Sequence, residues 1–261
     1  MSPDHRDGPD FAIFIPEVTA MPPSPLHPAR QALRIGGLQP MTTLDYPDHL
    51  ACVLFCQGCA WRCRYCHNPE LIHCGATSAE WSWARVLDFL QQRQGLLQAV
   101  VFSGGEATLQ LALPSAMRRV RELGFKVGLH SAGIKPASFG RALAHCDWVG
   151  FDVKALEEAA ALITGVSGSG QANWKSLELL LASGVSYECR TTVHWDLLDC
   201  RHLRRLGERL AAQGVRRFAV QLARSQRMLD EQLSAAATPP QAAELWPYFE
   251  QLFERFELRA A

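Results

Sequence analysis

From Gly36-Gly37 onward, short apolar and β-branched runs alternate with longer stretches of helical period, which restricts the chain to folds built from repeated βα units. The runs are Ala51–Phe55, Ala99–Ser103, Lys126–His130, Trp148–Asp152, Tyr187–His194 and Arg217–Leu222. Each is nearly continuous in apolar residues, as a parallel sheet covered on both faces demands. Helices are predicted at about Ser78–Gln94, Leu109–Leu123, Pro136–Ala144, Asn173–Ala182, Asp199–Ala212 and Gln241–Arg255. Gly95, Gly124, Gly184 and Gly214 follow four of them, where a helix C-cap belongs. Six units are too few for a closed eightfold barrel, but they suffice for a three-quarter barrel or an open doubly wound sheet. In either fold, chemistry belongs at the C-terminal ends of the strands.

Nine of the fifteen prolines fall in the first 47 residues without any periodic apolar pattern around them. Residues 1–33 therefore read as a flexible Pro-rich extension, and residues 34–261 as one domain. With 261 residues and 48% hydrophobic content the chain can bury a substantial core. Its 26 basic and 26 acidic residues cancel, so no broad positive field favours nucleic acid or an anionic membrane. No apolar run approaches the ~20 residues of a membrane span, and no signal-peptide pattern opens the chain. A cytoplasmic location is the expectation.

Five of the nine cysteines lie between Cys52 and Cys66, which points to a metal rather than to disulfides. The spacing C-x3-C-x2-C occurs twice, as Cys52/Cys56/Cys59 and as Cys59/Cys63/Cys66. Cys52 and Cys56 sit in the apolar run of a buried strand, and an extended backbone cannot wrap three thiolates around one cluster. Gly58 lets the chain leave the strand, which places Cys59, Cys63 and Cys66 in a loop able to wrap. Three thiolates can hold three corners of a [4Fe–4S] cubane and leave the fourth iron open to a cofactor. Zinc in a Cys3His site with His67 or His73 is the competing metal, although His67 adjoins Cys66 and would have difficulty reaching the same ion. Buried, unligated thiols are the simpler reading for Cys52, Cys56, Cys146 and Cys189.

Cys59, Cys63, Tyr65 and Cys66 match C-x3-C-x-aromatic-C, and here the sequence resembles the radical S-adenosylmethionine (radical SAM) superfamily. Ser103-Gly104-Gly105-Glu106, after the second predicted strand, stands where that family carries its Gly-Gly-Glu segment. Glycines let backbone approach the methionine part of the cofactor, and an acid suits its ammonium. Ala107 departs from the proline usual at that place. The resemblance implies a partial (β/α)6 TIM-like barrel of the radical SAM type, with one [4Fe–4S] cluster on Cys59, Cys63 and Cys66 and with S-adenosylmethionine beside it. Tyr65, Gly104, Gly105 and Glu106 are then expected at the cofactor.

Lysine occurs only four times, so Lys154 at the end of the fourth run is informative. Asp152 and Lys154 point to one side of that strand, and in the glycyl-radical activating enzymes that the chain resembles an Asp-x-Lys here holds the cofactor carboxylate. A structural ion pair is the alternative. On the fifth run Arg190, Thr192 and His194 share one face. Arg190 suits carboxylate or ribose oxygens, and His194 reads equally as a cofactor contact or a packing residue. Ser131 follows His130 where relatives have Asp-Thr-Asn-Gly, and its hydroxyl is a further cofactor candidate.

The run from Gln57 to Glu70 is similar to anaerobic ribonucleoside-triphosphate reductase activating proteins and to pyruvate formate-lyase activases. The resemblance implies a flavodoxin or ferredoxin electron donor and a glycyl-radical partner, the catalytic subunit of anaerobic ribonucleoside-triphosphate reductase. No side chain need serve as a general base, because the cofactor supplies the reactivity. Only 36 residues separate Cys66 from Ser103, with Cys74 the lone cysteine among them, so a ferredoxin-like insertion with further clusters is excluded. The alternatives are a small-molecule enzyme of the 7-deazaguanine-forming kind, whose charged pocket the sequence does not clearly display, and a non-catalytic iron–sulfur electron carrier.

Overall fold

The computed structural model describes residues 33–74, 81–224 and 226–259. Almost all of the Pro-rich extension expected over 1–33 lies outside the described residues. Leu33 is buried, and the chain enters the fold directly after it.

Eight strands form one sheet in strictly sequential order: β1 (Ile35–Thr42), β2 (Ala51–Cys56), β3 (Ala99–Gly104), β4 (Lys126–Ser131), β5 (Trp148–Asp152), β6 (Ser186–Val193), β7 (Arg217–Leu222) and β8 (Arg255–Arg259). The six predicted runs are β2 to β7, all parallel, and β8 continues them in parallel. β1 pairs antiparallel with β2. A doubly wound sheet reverses its strand order at a switch point, and this sheet never does. It is a partial barrel, and among the described residues β1 and β8 are its two edges.

The helices are α1 (Trp83–Gln91), α2 (Leu113–Glu122), α3 (Pro136–Leu143), α4 (Ala160–Thr164), α5 (Ser169–Ser183), α6 (Cys200–Ala212) and α7 (Leu245–Leu252). Caps explain two starts: Ser82 Oγ accepts from the Arg85 amide before α1, and Asp199 Oδ1 accepts from the His202 amide before α6. The predicted start of α1 at Ser78 falls outside the described residues. The last predicted helix ran to Arg255, but α7 ends at Leu252 and Arg255 begins β8.

The main core lies between the outer face of the sheet and the helices, with Phe102, Met117, Phe139, Phe151 and Phe218 wholly or almost wholly buried. Each such side chain contributes about 1.5–3 kcal/mol by leaving water. A smaller cluster of Tyr46, Ala51, Val53, Ala99, Val101 and Trp148 packs separately from it. No described helix is long and apolar enough to cross a membrane.

Candidate active site

Six consecutive strands, from β2 to β7, send residues from their C-terminal ends or the loops that follow into one cavity of about 270 Å³. Cys59, Cys63, Tyr65, Cys66, Gly104, Gly105, Glu106, Ser131, Asp152, Lys154 and Arg190 all line it.

The cysteine loop leaves β2 at Gly58, whose φ of +97° only glycine adopts easily. The loop is then pinned from both sides. The amides of Gly58 and Cys59 donate to the carbonyls of Leu71 and Ile72 at 2.7 and 3.1 Å, and those of Arg62 and Arg64 donate to Thr164 and Ile163 at the end of α4 at 2.8 and 2.9 Å. Asp230 reaches across from beyond β7, pairing with Arg64 Nε at 2.6 Å and donating its own amide to the Arg64 carbonyl at 2.9 Å. Cys59, Cys63 and Cys66 are partly accessible, whereas Cys52 and Cys56 are buried in β2. Burial pushes Cys52 and Cys56 up to about 12 and Cys59 up to about 11. Burial also raises Cys63, where the Lys154 ammonium is the main opposing influence.

Gly104, at φ +109°, lies so close to the backbone of Cys56 that a Cβ has no room. The amides of Gly105 and Glu106 donate to the carbonyls of Cys56 and Gly58 at 2.9 and 2.8 Å, which ties the Gly-Gly-Glu segment to the root of the cysteine loop. The Glu106 carboxylate accepts the Thr108 amide and hydroxyl and the Ser131 hydroxyl on Oε1, and the Ala132 amide on Oε2. It therefore staples β3 to β4, with one Oε2 position left for a cation in the cavity. Burial raises its pKa against these hydrogen bonds. The Ser131 hydroxyl is committed too, since it also accepts the Gly133 amide at 2.9 Å.

Lys154 Nζ donates to Asp152 Oδ2 at 2.9 Å and sits 5.8 Å from the centre of the Tyr65 ring. Burial opposes charge on both partners, but their mutual attraction outweighs it, lowering Asp152 and raising Lys154. Arg190 Nε donates to Glu188 Oε1 at 2.9 Å, and the guanidinium lies 5.1 Å from the Trp148 ring centre. Gly150 makes this possible, because a Cβ there would stand 2.6 Å from Arg190 Cζ.

His194 departs from the expectation. β6 ends at Val193, so the alternation that points Arg190 and Thr192 into the cavity stops one residue too early. The His194 ring faces the 234–238 segment instead, with Nε2 2.8 Å from the Ser234 carbonyl and Nδ1 accepting the Asp196 amide at 3.3 Å.

Several residues escaped the sequence reading. Asn173 of α5, fully buried, accepts the Lys154 amide and donates to the carbonyls of Ala132 and Asp152, fixing β4 and β5 at the cavity floor. A single polar residue inside a helix gives no sequence signal. Glu188, two residues before Arg190 on one strand face, gave a signal that could have been used. The charged pocket that the sequence did not display is present, as a groove that shares His67, Asn68, Arg190, Thr192 and Gln221 with the cavity.

The donor set suits a cubane better than a single ion. Among the described residues no three His, Cys, Asp or Glu side chains converge on one metal position, as zinc requires. A cubane takes one thiolate at each of three separate irons. His67 Nε2 is engaged with the backbone of Arg224 at 3.2 Å. Tyr65 Oη is buried without a hydrogen-bond partner beside the same cavity, as expected of a wall that a bound group completes.

A partial barrel with thiols, paired charges and a glycine-lined wall at its strand ends defines a cofactor-dependent α/β enzyme. Residues 53–197, more than half of the chain, match the sequence profile of the Radical SAM superfamily, and the chain belongs to that superfamily. Its cofactors are those characteristic of the superfamily, a [4Fe–4S] cluster and S-adenosylmethionine. A protein of Methanocaldococcus jannaschii described as a glycyl-radical enzyme activating enzyme is 29% identical over 174 residues, 63% of this chain and 70% of that protein. The pyruvate formate-lyase-activating enzyme of Clostridium pasteurianum is 31% identical over 129 residues, so this chain matches about half of its length, 54%. Among solved structures, anSMEcpe with bound AdoMet superposes with a TM-score of 0.60 at 14% identity, covering 78% of this chain and 59% of that one. SuiB of Streptococcus suis gives 0.57 at 16% identity, covering 78% and 47%. These two establish likeness of fold alone.

Proposed function

We propose that this chain is a glycyl-radical activating enzyme. In this reading Cys59, Cys63 and Cys66 hold one [4Fe–4S] cluster, S-adenosylmethionine lies against Gly104-Gly105-Glu106, and the target is a glycine of a partner protein. The partner is the catalytic subunit of anaerobic ribonucleoside-triphosphate reductase, the electron comes from a flavodoxin or ferredoxin, and the setting is cytoplasmic. The observation that carries the reading is the meeting of three partly accessible thiols, the Gly-Gly-Glu wall and the Asp152–Lys154 pair around one cavity. The names of the two relatives above support the choice of an activase.

When bound, the cluster and S-adenosylmethionine would supply the one-electron radical chemistry that removes a hydrogen atom from the target glycine. The chain's own residues chelate, orient and exclude water. Glu106 offers its free Oε2 position to the methionine ammonium, and Lys154 or Arg190 offers charge to the carboxylate. Tyr65 closes the wall behind the cysteine loop, and Asp152 keeps Lys154 charged and aimed. No proton need be removed by a base.

A small-molecule radical enzyme is the second reading, favoured by the charged groove beside the cavity. The test is to reduce the anaerobically reconstituted protein with S-adenosylmethionine and the reductase subunit, and to record the electron paramagnetic resonance spectrum. A glycyl doublet on the subunit is expected. Formation of 5′-deoxyadenosine with no radical on the subunit, or turnover of a small molecule without a partner, overturns the activase reading.

A further inference from the structure

Alongside the cavity runs a larger groove of about 960 Å³, lined on one side by the β1 end of the sheet and on the other by β7 and β8. It lies at the upper end of the ~300–1,000 Å³ usual for ligand sites. The two spaces share His67, Asn68, Arg190, Thr192 and Gln221, so an occupant of the groove reaches the reacting centre.

Arg217 and Arg255 are register partners on β7 and β8, both exposed and both on the groove wall. Like charges on neighbouring strands repel, yet neither arginine makes an ion pair among the described residues. The acids on β6 and β8 are committed, since Glu188 accepts from Arg190 and Arg259 and Glu257 accepts from Arg259, while Asp45 and Asp48 line the β1 side of the groove. Trp148, at the start of β5, packs instead in the cluster of Tyr46, Val53 and Val101 and leaves the arginine wall to β7 and β8. Two exposed guanidinium groups thus stand side by side on one groove wall with no acceptor assigned to them among the described residues.

We propose that Arg217 and Arg255 form a subsite for a carboxylate side chain of the partner segment that bears the target glycine, with that segment extended along the groove. This rests on the activase reading above, which makes the occupant a polypeptide. A phosphate would suit the same forked donors, so the experiment separates the two sources. The spacing is set by β7. Gln221, at the cavity, is four residues beyond Arg217, or about 13 Å at ~3.3 Å per residue. An extended peptide covers that distance in about four residues, so the acid lies about four positions from the glycine.

The test uses the full chain with its cluster and S-adenosylmethionine, and fluorescein-labelled peptides with a central glycine. Glu, Gln or Lys stands about four positions to either side of the glycine, and binding is read by anisotropy. One Glu peptide is expected to bind about 10-fold tighter than its Gln counterpart, a difference of ~1.4 kcal/mol. The preference should vanish in Arg217→Gln/Arg255→Gln and turn towards Lys in Arg217→Glu/Arg255→Glu, with far-UV circular dichroism reporting that both variants fold. Equal affinity for Glu and Gln peptides, or no binding by any, overturns the subsite. So does inorganic phosphate binding at the arginine pair without a Glu preference. Formation of 5′-deoxyadenosine by the wild-type protein is followed in parallel, so that failure of the radical chemistry is seen separately from failure of the subsite.

Discussion

His130 lies where three strands of the cavity meet, with Nδ1 3.4 Å from Ser103 Oγ and Nε2 3.0 Å from the Asp45 carbonyl. Nε2 also lies 3.3 Å from Arg190 Nη1, and a buried ring beside that guanidinium is assigned as neutral. Burial, reinforced by the Arg190 guanidinium, holds the imidazole well below its ordinary pKa. The unfolded chain therefore takes up this proton first, near pH ~6.5, and stability is lost as the pH falls below that value by up to ~1.4 kcal/mol per unit. Urea unfolding at about pH 7.5 and about pH 5.5 should show the wild type losing stability relative to His130→Gln; parallel losses in both proteins would contradict the assignment. Legibility at this scale followed local chemistry. Gly58 and the C-x3-C-x2-C spacing foretold that Cys59, Cys63 and Cys66 share a loop beyond β2. His194 misled because strand alternation carries no mark of where the strand ends, and Asn173 was invisible because its three partners lie on other elements.

At the scale of elements, β8 is more than an edge. Arg259 donates through Nη1 and Nη2 to both oxygens of Glu188 at 2.9 Å, and Glu188 in turn holds Arg190 Nε at 2.9 Å. The last strand thereby fixes a side chain of the cavity that it does not itself touch, which makes Arg259 a positioning residue. Arg259→Gln is expected to cost about 2 kcal/mol in urea unfolding, in line with ~1.5–3 kcal/mol for hydrogen bonds to charged groups. It should also weaken S-adenosylmethionine binding, with partial rescue by Arg259→Lys. Unchanged cofactor affinity would show that Arg190 needs no such support. Both edge strands were missed in the sequence for physical reasons. β1 contains Gly36, Gly37 and Pro40, which depress strand propensity and are tolerated where one side has no neighbour. β8 reads Arg-Phe-Glu-Leu-Arg, an alternation with charges turned inward that resembles the polar end of a helix.

For the whole molecule, the alternation of apolar runs and helical stretches was enough to foretell β2 to β7 and the end of the sheet where the cavity lies. The choice between barrel and doubly wound sheet was not, because strand order depends on contacts between elements far apart in sequence. Sequential order leaves β1 and β8 as the two edges among the described residues, and the space between the two ends of the sheet is the groove that adjoins the cavity. The central claim is that the loop cysteines, not the strand cysteines, support radical chemistry at this cavity. Its most direct test is 5′-deoxyadenosine formation by anaerobically reconstituted, dithionite-reduced protein supplied with S-adenosylmethionine, in the wild type and in Cys56→Ala, Cys59→Ala, Cys63→Ala and Cys66→Ala. Product from the wild type and Cys56→Ala is expected, with none from the other three and their cluster absorbance lost. Loss of product in Cys56→Ala with any of Cys59, Cys63 or Cys66 dispensable, or no product from wild-type protein carrying a full four-iron cluster, would contradict it.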